Sequence, residues 1–349
     1  MSDLEQRIAF IADEMQSFPE VVHIGYSGGK DSSAVVKLLL NALRRLDGVG
    51  PQIEIVYCDT GVENPIIDRF VKNTLGLLDI EFRAAGLKAA SRLIRPSTQQ
   101  SFFVRMIGRG YPPPTNSFRW CTKDIRIRPF QRFLRDQATQ TLIAVGTRIG
   151  ESAQRDRSLR KSAVSSDGYG FYQKQRDGFP GATLFTPIID FNVDDVWRVL
   201  FELDFPKAID INTLARLYKD GGAECPAIRD FKDKPCSRSR FGCWTCTAVR
   251  RDRSAENMIA QGHEELRPFF EFREWLTKIR NEPNYRCRFR RNGQQGPGPF
   301  TLEARAMLLD RVFSLEKTTG RELVTAEQKA EIYRLWVLDR DDANYALIR

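Results

Sequence analysis

The sequence predicts an α/β fold, in which a doubly wound, mainly parallel sheet is followed by a cysteine-centred, mostly helical region. Three observations over the 349 residues lead to this prediction. Short apolar runs alternate with segments of helical periodicity up to about residue 218, which is typical of parallel sheets with crossover helices. A glycine turn joins the first run to its helix. After residue 218 glycine, proline, cysteine and basic residues take over, so we predict two domains, residues 1–218 and 219–349.

The elements follow in order along the chain. Residues 21–25 are an apolar run that enters the glycine turn, and residues 31–46 carry apolar side chains at helical spacing. Residues 108–117 contain three consecutive prolines and are predicted to be a loop, because proline lacks a backbone donor. Further strands are predicted at residues 53–58, 80–84 and 141–146, and further helices at residues 64–78, 99–106, 124–137, 193–203, 255–279, 302–316 and 326–338.

Charge is distributed unevenly along the chain. Lys and Arg number 54 against 45 Asp and Glu, and residues 1–100 hold only 11 of these basic residues with 13 of the acidic ones. The excess is densest at residues 119–135, 229–253 and 280–291. One interpretation is a polyphosphate or nucleic-acid surface, and the alternative is a solvated surface balanced by acidic faces elsewhere. The apolar content excludes a disordered chain, and no apolar run is long enough to span a bilayer. We expect a cytoplasmic protein with no membrane partner.

The most specific motif lies between the first strand and its helix and consists of Ser27, Gly28, Gly29, Lys30, Asp31 and Ser32. Consecutive glycines let backbone amides turn toward an anion, and the start of the helix adds its positive dipole end. The alternative is a plain glycine turn. Because the carboxyl ends of parallel strands share one edge of a sheet, the loops after Gly25, Cys58 and Gly146 are expected to converge on one crevice.

Four of the seven cysteines form the second constellation. Cys225, Cys236, Cys243 and Cys246 are spaced C-x10-C-x6-C-x2-C, without a nearby histidine. Four thiolates suit an iron–sulfur cluster or a structural zinc, and the spacing by itself leaves both open, together with unliganded thiols.

The loop SGGKDS resembles the signature of the PP-loop ATP pyrophosphatases, which bind the pyrophosphate part of ATP and cleave between its α and β phosphates. Cys58-Asp59-Thr60-Gly61, Arg119-Trp120-Cys121-Thr122 and Gly146-Thr147-Arg148, with Glu151, Ser152 and Arg155, look like the sulfonucleotide (PAPS) reductase branch. The resemblance implies an adenine nucleotide alpha hydrolase-like fold and an ATP site. Mg²⁺ is expected with it, because polyphosphate chemistry usually requires a metal.

Within this resemblance, chemistry assigns roles to the charged residues. Lys30 and Arg148 are expected to neutralise phosphate charge, and Arg155 to do the same or to pair with Glu151. Asp59 is expected to contact the nucleotide or a metal, with a loop cap as the alternative.

Two further cysteines need separate interpretations. Cys121 lies beside Arg119 and Lys123, whose charges can lower a thiol pKa, so it is a candidate for handling sulfur, with a packed thiol as the alternative. Cys58 is expected to be buried core.

Residues 240–247 (RFGCWTCT), with RRNG at 290–293 and GPFT at 298–301, resemble the DndC-type sulfurtransferases of bacterial DNA phosphorothioation, with SspD of the single-strand system as the close alternative. The resemblance spans residues 20–340. It implies an enzyme with ATP, a [4Fe-4S] cluster on the four cysteines, DNA as substrate, a cysteine desulfurase as sulfur donor and an SMC-like ATPase among its partners. The expected reaction adenylates a DNA phosphate, releases pyrophosphate and lets sulfur replace a non-bridging oxygen.

Other functions stay open beside this one. They are a sulfonucleotide reductase or sulfate-activating enzyme, a tRNA thiolase and a non-catalytic assembly subunit. The carboxy-terminal cysteine of sulfonucleotide reductases is absent from this chain.

Overall fold

The computed structural model of the chain describes residues 2–18, 20–135, 141–150, 163–167, 170–174, 182–223, 241–342 and 345. The strands are β1 (Val21–Tyr26), β2 (Gln52–Cys58), β3 (Ala89–Ile94), β4 (Thr141–Ala144), β5 (Ala163–Asp167), β6 (Gly170–Lys174) and β7 (Ala182–Phe185). The helices are α1 (Asp3–Met15), α2 (Lys30–Arg44), α3 (Pro65–Ala84), α4 (Arg128–Arg135), α5 (Val193–Glu202), α6 (Ile211–Asp220), α7 (Arg253–Ala260), α8 (Arg267–Ile279), α9 (Leu302–Thr319) and α10 (Ala326–Asp341).

The strands form one seven-stranded sheet in the order β3-β2-β1-β4-β7-β6-β5. The five strands from β3 to β7 in this order run parallel, and β6 and β5 add an antiparallel edge. The order reverses between β1 and β4, which pair from Val22 against Leu142 to Ile24 against Ala144. Such a reversal opens a crevice at the carboxyl ends of the strands. The predicted α/β class with a mainly parallel, doubly wound sheet is confirmed.

Two helices that flank the crevice begin directly after strands. α2 starts at Lys30 with Gly29 as its N-cap residue, and its inner face packs under the sheet. α3 starts after Asn64, whose side-chain Oδ1 accepts hydrogen bonds from the backbone N–H groups of Ile66 and Ile67 at 3.0 and 3.4 Å. This cap and the proline at the first helical position start α3 at Pro65, so the loop after β2 is only a few residues long.

The predicted strand at residues 80–84 is wrong, because these residues form the last turns of α3. Leu78 and Phe82 continue the buried stripe of that helix. The third strand follows at Ala89–Ile94, where the edge position leaves most side chains half-buried and the apolar signal weak. Ser91 at its centre is held by Asp79 of α3, which accepts hydrogen bonds from its N–H at 2.7 Å and its hydroxyl at 2.6 Å.

Three predicted helices differ in detail. The helix predicted over residues 124–137 begins as a π-helical turn at Thr122–Ile127 and continues as α4. Residues 99–106 form a 3₁₀ turn at Thr98–Gln100 and a π-helical turn at Val104–Gly108. The single helix predicted over residues 255–279 is divided into α7 and α8, because Gly262 adopts a φ of 97° that no helix continues through.

The described residues pack into two main apolar cores. The first lies between the sheet and the helices α1, α2, α3, α5 and α6. The second joins residues 102–125, which follow β3, to the helices α8, α9 and α10. Its members therefore come from both sides of residue 218, and the division into two domains there stays a prediction. No helix in the described part of the chain is long and apolar enough to cross a bilayer.

Candidate functional site

A cavity of about 640 Å³ opens at the carboxyl ends of β1, β2 and β4. This volume is within the range of small-molecule sites. Its lining includes the whole SGGKDS loop, Cys58 after β2 and Gly146, Thr147 and Arg148 after β4. The three loops therefore converge on one crevice, as the parallel topology predicts.

The glycines of the site are required by close contacts. Gly28 has a φ of 73°, and a Cβ there would lie 2.1 Å from Cγ2 of Val71. A Cβ on Gly146 would lie 2.7 Å from the backbone carbon of Asp31. A side chain at Gly28 would therefore clash with α3, and a side chain at Gly146 would separate the loop after β4 from the first turn of α2.

Asp31 lies between the two predicted phosphate-binding cations. Its Oδ2 is 2.6 Å from Lys30 Nζ, and its Oδ1 is 2.5 Å from Arg148 Nε. Lys30 is 3% exposed and Arg148 is 4% exposed, so both charges are largely removed from water. A polyphosphate entering the cavity would compete with Asp31 for both cations, which is how a pre-assembled anion site works.

Tyr218 of α6 contacts the phosphate loop (residues 27–32), although no local sequence motif marks it. Its hydroxyl accepts a hydrogen bond from the backbone N–H of Lys30 at 3.1 Å, and its ring lies 5.6 Å from Lys30 Nζ. The first N–H groups of a helix are the donors that bind phosphate oxygens. The Tyr218 hydroxyl therefore occupies a donor that a phosphate would use, while Phe241 packs edge-on against its ring at 5.1 Å.

The substitution Tyr218→Phe is expected to destabilise the nucleotide-free protein by about 0.5–1.5 kcal/mol, because the Lys30 N–H loses this partner. With ATP bound, a phosphate oxygen takes the same N–H, so the ATP-induced rise in melting temperature should be larger than in the wild type. Thermal unfolding with and without a non-hydrolysable ATP analogue measures both effects. Tyr333→Phe, at a 48% exposed position, is the control. An equal loss of stability with and without nucleotide would show that the hydroxyl stays on the loop.

The C-x2-C turn docks against the loop that follows β2. The N–H of Trp244 donates to the carbonyl of Val62 at 3.0 Å, and Cys243 forms an isolated antiparallel bridge with Glu63. Within the turn the Cys246 N–H donates to the Cys243 carbonyl at 2.9 Å. These contacts place the two cysteines beside the mouth of the cavity.

Arg126 lies between the cavity and the Cys243 thiol. It lines the cavity, and its Nη2 is 3.0 Å from Glu63 Oε1 and 3.5 Å from Cys243 Sγ. Electrostatic interaction with Cys243 and with the carboxylate of Glu63 raises the pKa of Arg126. Burial raises the pKa of the Cys243 thiol to about 12, with Glu63 acting in the same direction and Arg126 opposing it. Arg126 alone therefore does not make this thiol a thiolate, which a bound metal would do.

The pKa of Cys121 is raised, so the predicted lowering by its sequence neighbours is wrong. Burial is the main cause, and the charge of Cys246 acts in the same direction. Arg119 is exposed to solvent and donates to Asn116 instead. Cys121 is far from the C-x2-C turn in sequence, but it packs with Cys243 against the second core.

Cys58 lines the cavity, so the expectation of a fully buried core residue is wrong. Its side chain is half-buried at the end of β2, and its Sγ donates to the carbonyl of Ile125 at 3.3 Å. Burial raises the pKa of this thiol to about 12.

Asp59 is held by basic groups at the edge of the sheet. Its Oδ2 is 3.1 Å from both Lys72 Nζ and Arg95 Nε, and its Oδ1 accepts a hydrogen bond from the Gly61 N–H at 3.1 Å. Burial alone would raise its pKa, but Lys72, Gly61 and Arg95 together lower it. These contacts match the loop-cap alternative, and a role in nucleotide or metal binding stays a prediction.

Four predicted site residues, Glu151, Arg155, Cys225 and Cys236, lie outside the described residues. Among the residues that the structure describes, no three histidine, cysteine, aspartate or glutamate side chains are grouped as metal ligands. The described part offers Cys243 and Cys246 as a pair of soft donors for a cluster. Asp31 and Glu63 are the carboxylates on the described wall of the cavity. Asp31 is paired with Lys30 and Arg148, and Glu63 is paired with Arg126, so Mg²⁺ binding by these carboxylates stays a prediction.

A curated relative is similar to part of the chain. The uncharacterized protein MJ0066 of Methanocaldococcus jannaschii is 29% identical over 149 residues, which cover 42% of this chain. The match spans 27% of that relative's own length.

Three solved structures are similar to parts of the chain. The U34-tRNA thiolase NcsA from Methanococcus maripaludis with its [4Fe-4S] cluster is 13% identical, with a TM-score of 0.38 over 80% of this chain and 77% of that one. Phosphoadenylyl-sulfate reductase from Candida auris is 12% identical, with a TM-score of 0.33 over 58% and 87%. The FMN adenylyltransferase of Candida glabrata with FAD and pyrophosphate is 13% identical, with a TM-score of 0.35 over 56% and 54%.

A family model confirms the predicted PAPS reductase-like domain. It is the phosphoadenosine phosphosulfate reductase domain, and it matches residues 22–249. The matched segment begins in β1, contains the SGGKDS loop and ends just after the C-x2-C turn. Because this segment is well over half of the chain, the protein belongs to the phosphoadenosine phosphosulfate reductase domain family.

Proposed function

We propose that this protein is the ATP-dependent sulfurtransferase of bacterial DNA phosphorothioation, which adenylates a DNA backbone phosphate so that sulfur can replace a non-bridging oxygen. The observation that carries the proposal is the wall shared by the cavity and the C-x2-C turn. Arg126 lines the cavity and reaches Cys243 Sγ at 3.5 Å. A nucleotide in the cavity and a sulfur at the cysteines would therefore meet at one phosphate.

The phosphate loop supplies the binding of ATP. Backbone N–H groups at the start of α2 and the buried cations Lys30 and Arg148 bind the phosphates that Asp31 now opposes. Asp31 and Glu63 are the described carboxylates that would hold Mg²⁺, which when bound would supply positive charge beside the phosphates. Holding the two reactants in the same crevice supplies most of the catalytic advantage in phosphoryl-type transfers.

The cysteines supply the sulfur side of the site. Cys243 and Cys246, with Cys225 and Cys236, would hold a [4Fe-4S] cluster, which when bound provides a place for sulfide or electrons. Arg273 is fully buried and donates from its Nε to the Cys246 carbonyl at 3.0 Å, so it fixes the turn. Cys121, near Cys246, is proposed to carry sulfur delivered by a cysteine desulfurase. The other phosphorothioation proteins, including an SMC-like ATPase, are proposed partners.

The reaction balances in two displacements. First, a non-bridging oxygen of the DNA phosphate bonds to the α-phosphorus of ATP, and pyrophosphate leaves with the electron pair of the broken bond. Hydrosulfide then bonds to the DNA phosphorus and releases AMP and one proton. If the sulfur is delivered as a persulfide, its outer sulfur bonds to the DNA phosphorus. A second thiol then attacks the inner sulfur, which breaks the S–S bond and leaves a disulfide. External thiols reduce this disulfide with two electrons.

The test is product analysis. The purified protein is incubated without oxygen with ATP, Mg²⁺, dithiothreitol, a cysteine desulfurase, ³⁵S-labelled cysteine and equal amounts of DNA, tRNA and adenylyl sulfate. We expect AMP and pyrophosphate as nucleotide products and label in DNA as phosphorothioate. The same reaction with Cys243→Ser should leave DNA unlabelled, while Cys287→Ser, whose thiol contacts Tyr345 instead, should label it.

Other products would contradict the proposal and select an alternative. Label in tRNA would indicate a thiolase, and reduction of adenylyl sulfate a sulfonucleotide reductase. ADP and phosphate would contradict cleavage between the α and β phosphates. Neither pyrophosphate nor label, with ATP still bound, would indicate an assembly subunit.

A further inference from the structure

Three segments that are distant in sequence form one face next to the C-x2-C turn. The proline-rich loop is at its centre, where the Pro114 carbonyl accepts a hydrogen bond from the Thr247 hydroxyl at 2.7 Å. Arg291 Nη2 donates to the Arg109 carbonyl at 3.0 Å, at the other end of this loop. We call the face formed by the described residues 109–128, 241–253 and 280–295 the basic face.

The basic face is strongly positive. Residues 109–128 contain five basic residues, residues 241–253 contain three and residues 280–295 contain five. Each segment contains one acidic residue. Asp124 is buried between Arg105 and Arg128, so it adds no exposed negative charge. Six exposed basic side chains make no ion pair with any described residue: Arg119, Lys123, Arg250, Arg253, Arg288 and Arg290.

Two exposed aromatic rings lie among these charges. Phe118 is 45% exposed and precedes Arg119, and Phe289 is 37% exposed between Arg288 and Arg290. The Phe118 ring is supported by Tyr111 at 6.2 Å. Exposed rings flanked by arginines are the arrangement with which proteins stack unpaired bases while they neutralise the backbone. A duplex keeps its bases stacked inside, so it would have to unstack them before it could use these rings.

The face leads directly to the cysteines and the cavity. Arg126 belongs to the basic face and lines the cavity, and its Nη2 is 3.5 Å from Cys243 Sγ. A strand bound across Phe118 and Lys123 would therefore continue toward the point where the nucleotide and the sulfur meet.

We infer that the basic face binds single-stranded DNA, with bases stacked on Phe118 and Phe289 and phosphates on the flanking arginines. The choice of DNA over other single strands rests on the proposed function, whereas the binding mode rests on the rings and charges themselves.

The stacking is tested by fluorescence anisotropy with a labelled oligodeoxythymidine and the full chain. Phe118→Ala and Phe289→Ala are each expected to weaken binding by about 5- to 100-fold. Phe201→Ala is the matched control, because Phe201 of α5 is 50% exposed and outside the basic face. In a strand containing 5-iodouracil, ultraviolet cross-links should map to peptides with Phe118 or Phe289, which reports stacking without relying on a variant.

The charges are tested by salt titration. Arg119→Glu and Arg288→Glu should weaken binding and reduce the dependence of log K on log salt by about 0.7 for each phosphate that the protein no longer neutralises. Arg83→Glu, at an exposed position on α3, should change neither.

Three results would overturn the inference. They are equal or tighter binding of duplex DNA or of RNA with the same sequence, equal weakening of binding by Phe201→Ala, and cross-links that avoid both rings. Different results would contradict the inference and the proposed function. Stacking without pyrophosphate release would contradict only the function, and phosphorothioate formation with unchanged DNA affinity in Phe118→Ala would contradict only the inference.

Discussion

Replacing Lys30 with alanine is expected to lower the rate of pyrophosphate release from ATP by about 100-fold or more, and Arg148→Ala should have a similar effect. Both cations are almost fully buried and face the cavity from opposite sides of Asp31. A preorganised donor in such a site stabilises charge that develops in the transition state far better than water does. A coupled pyrophosphate assay under saturating ATP measures the decrease in rate.

The matched control for these variants is Arg45→Ala. Arg45 is an exposed basic residue at the opposite end of α2, so it shares the helix and the charge but not the cavity. It should retain the wild-type rate. A Lys30→Ala protein that keeps more than about a tenth of the activity would show that Lys30 does not bind the reacting phosphates. The fold of each variant is checked by thermal unfolding, since buried charges also contribute to stability.

The parts of the site that could be predicted from the sequence are those encoded by local patterns. Apolar runs followed by glycines mark β1 and β4, and the topology of parallel sheets then brings Lys30 and Arg148 together. The third strand escapes prediction because Ala89–Ile94 is an edge strand with few apolar residues, while the end of α3 mimics a strand with its dense apolar side chains. Edge strands have only weak sequence signals.

Other features depend on contacts between distant segments. Tyr218 is 188 residues away from the Lys30 N–H that it binds. The predicted effect of Arg119 on Cys121 is wrong because adjacent residues need not point to the same side of the chain. The second core has the same origin, since Phe102 and Trp120 pack with helices that begin after residue 266. None of these contacts has a short-range sequence signature.

The second large effect concerns iron. Protein purified without oxygen is expected to contain about four irons with matching sulfide and a brown chromophore, which Cys243→Ser or Cys246→Ser should remove. The two residues form one C-x2-C turn whose geometry is fixed by Val62, Glu63 and the buried Arg273. Iron and sulfide analysis with visible absorption spectra measures the change.

Variants of two further cysteines distinguish cluster ligation from sulfur transfer. Cys287 is 1% exposed and its Sγ donates to the Tyr345 hydroxyl at 3.6 Å, so Cys287→Ser should keep the full iron content. Cys121→Ser should also keep iron but should lose transfer of ³⁵S to DNA, because Cys121 is proposed to carry sulfur beside the turn. Loss of iron in Cys121→Ser would instead indicate that this thiol is a cluster ligand. Stoichiometric zinc without iron in the wild-type protein would contradict the cluster itself, since the four thiolates suit either metal by charge and softness.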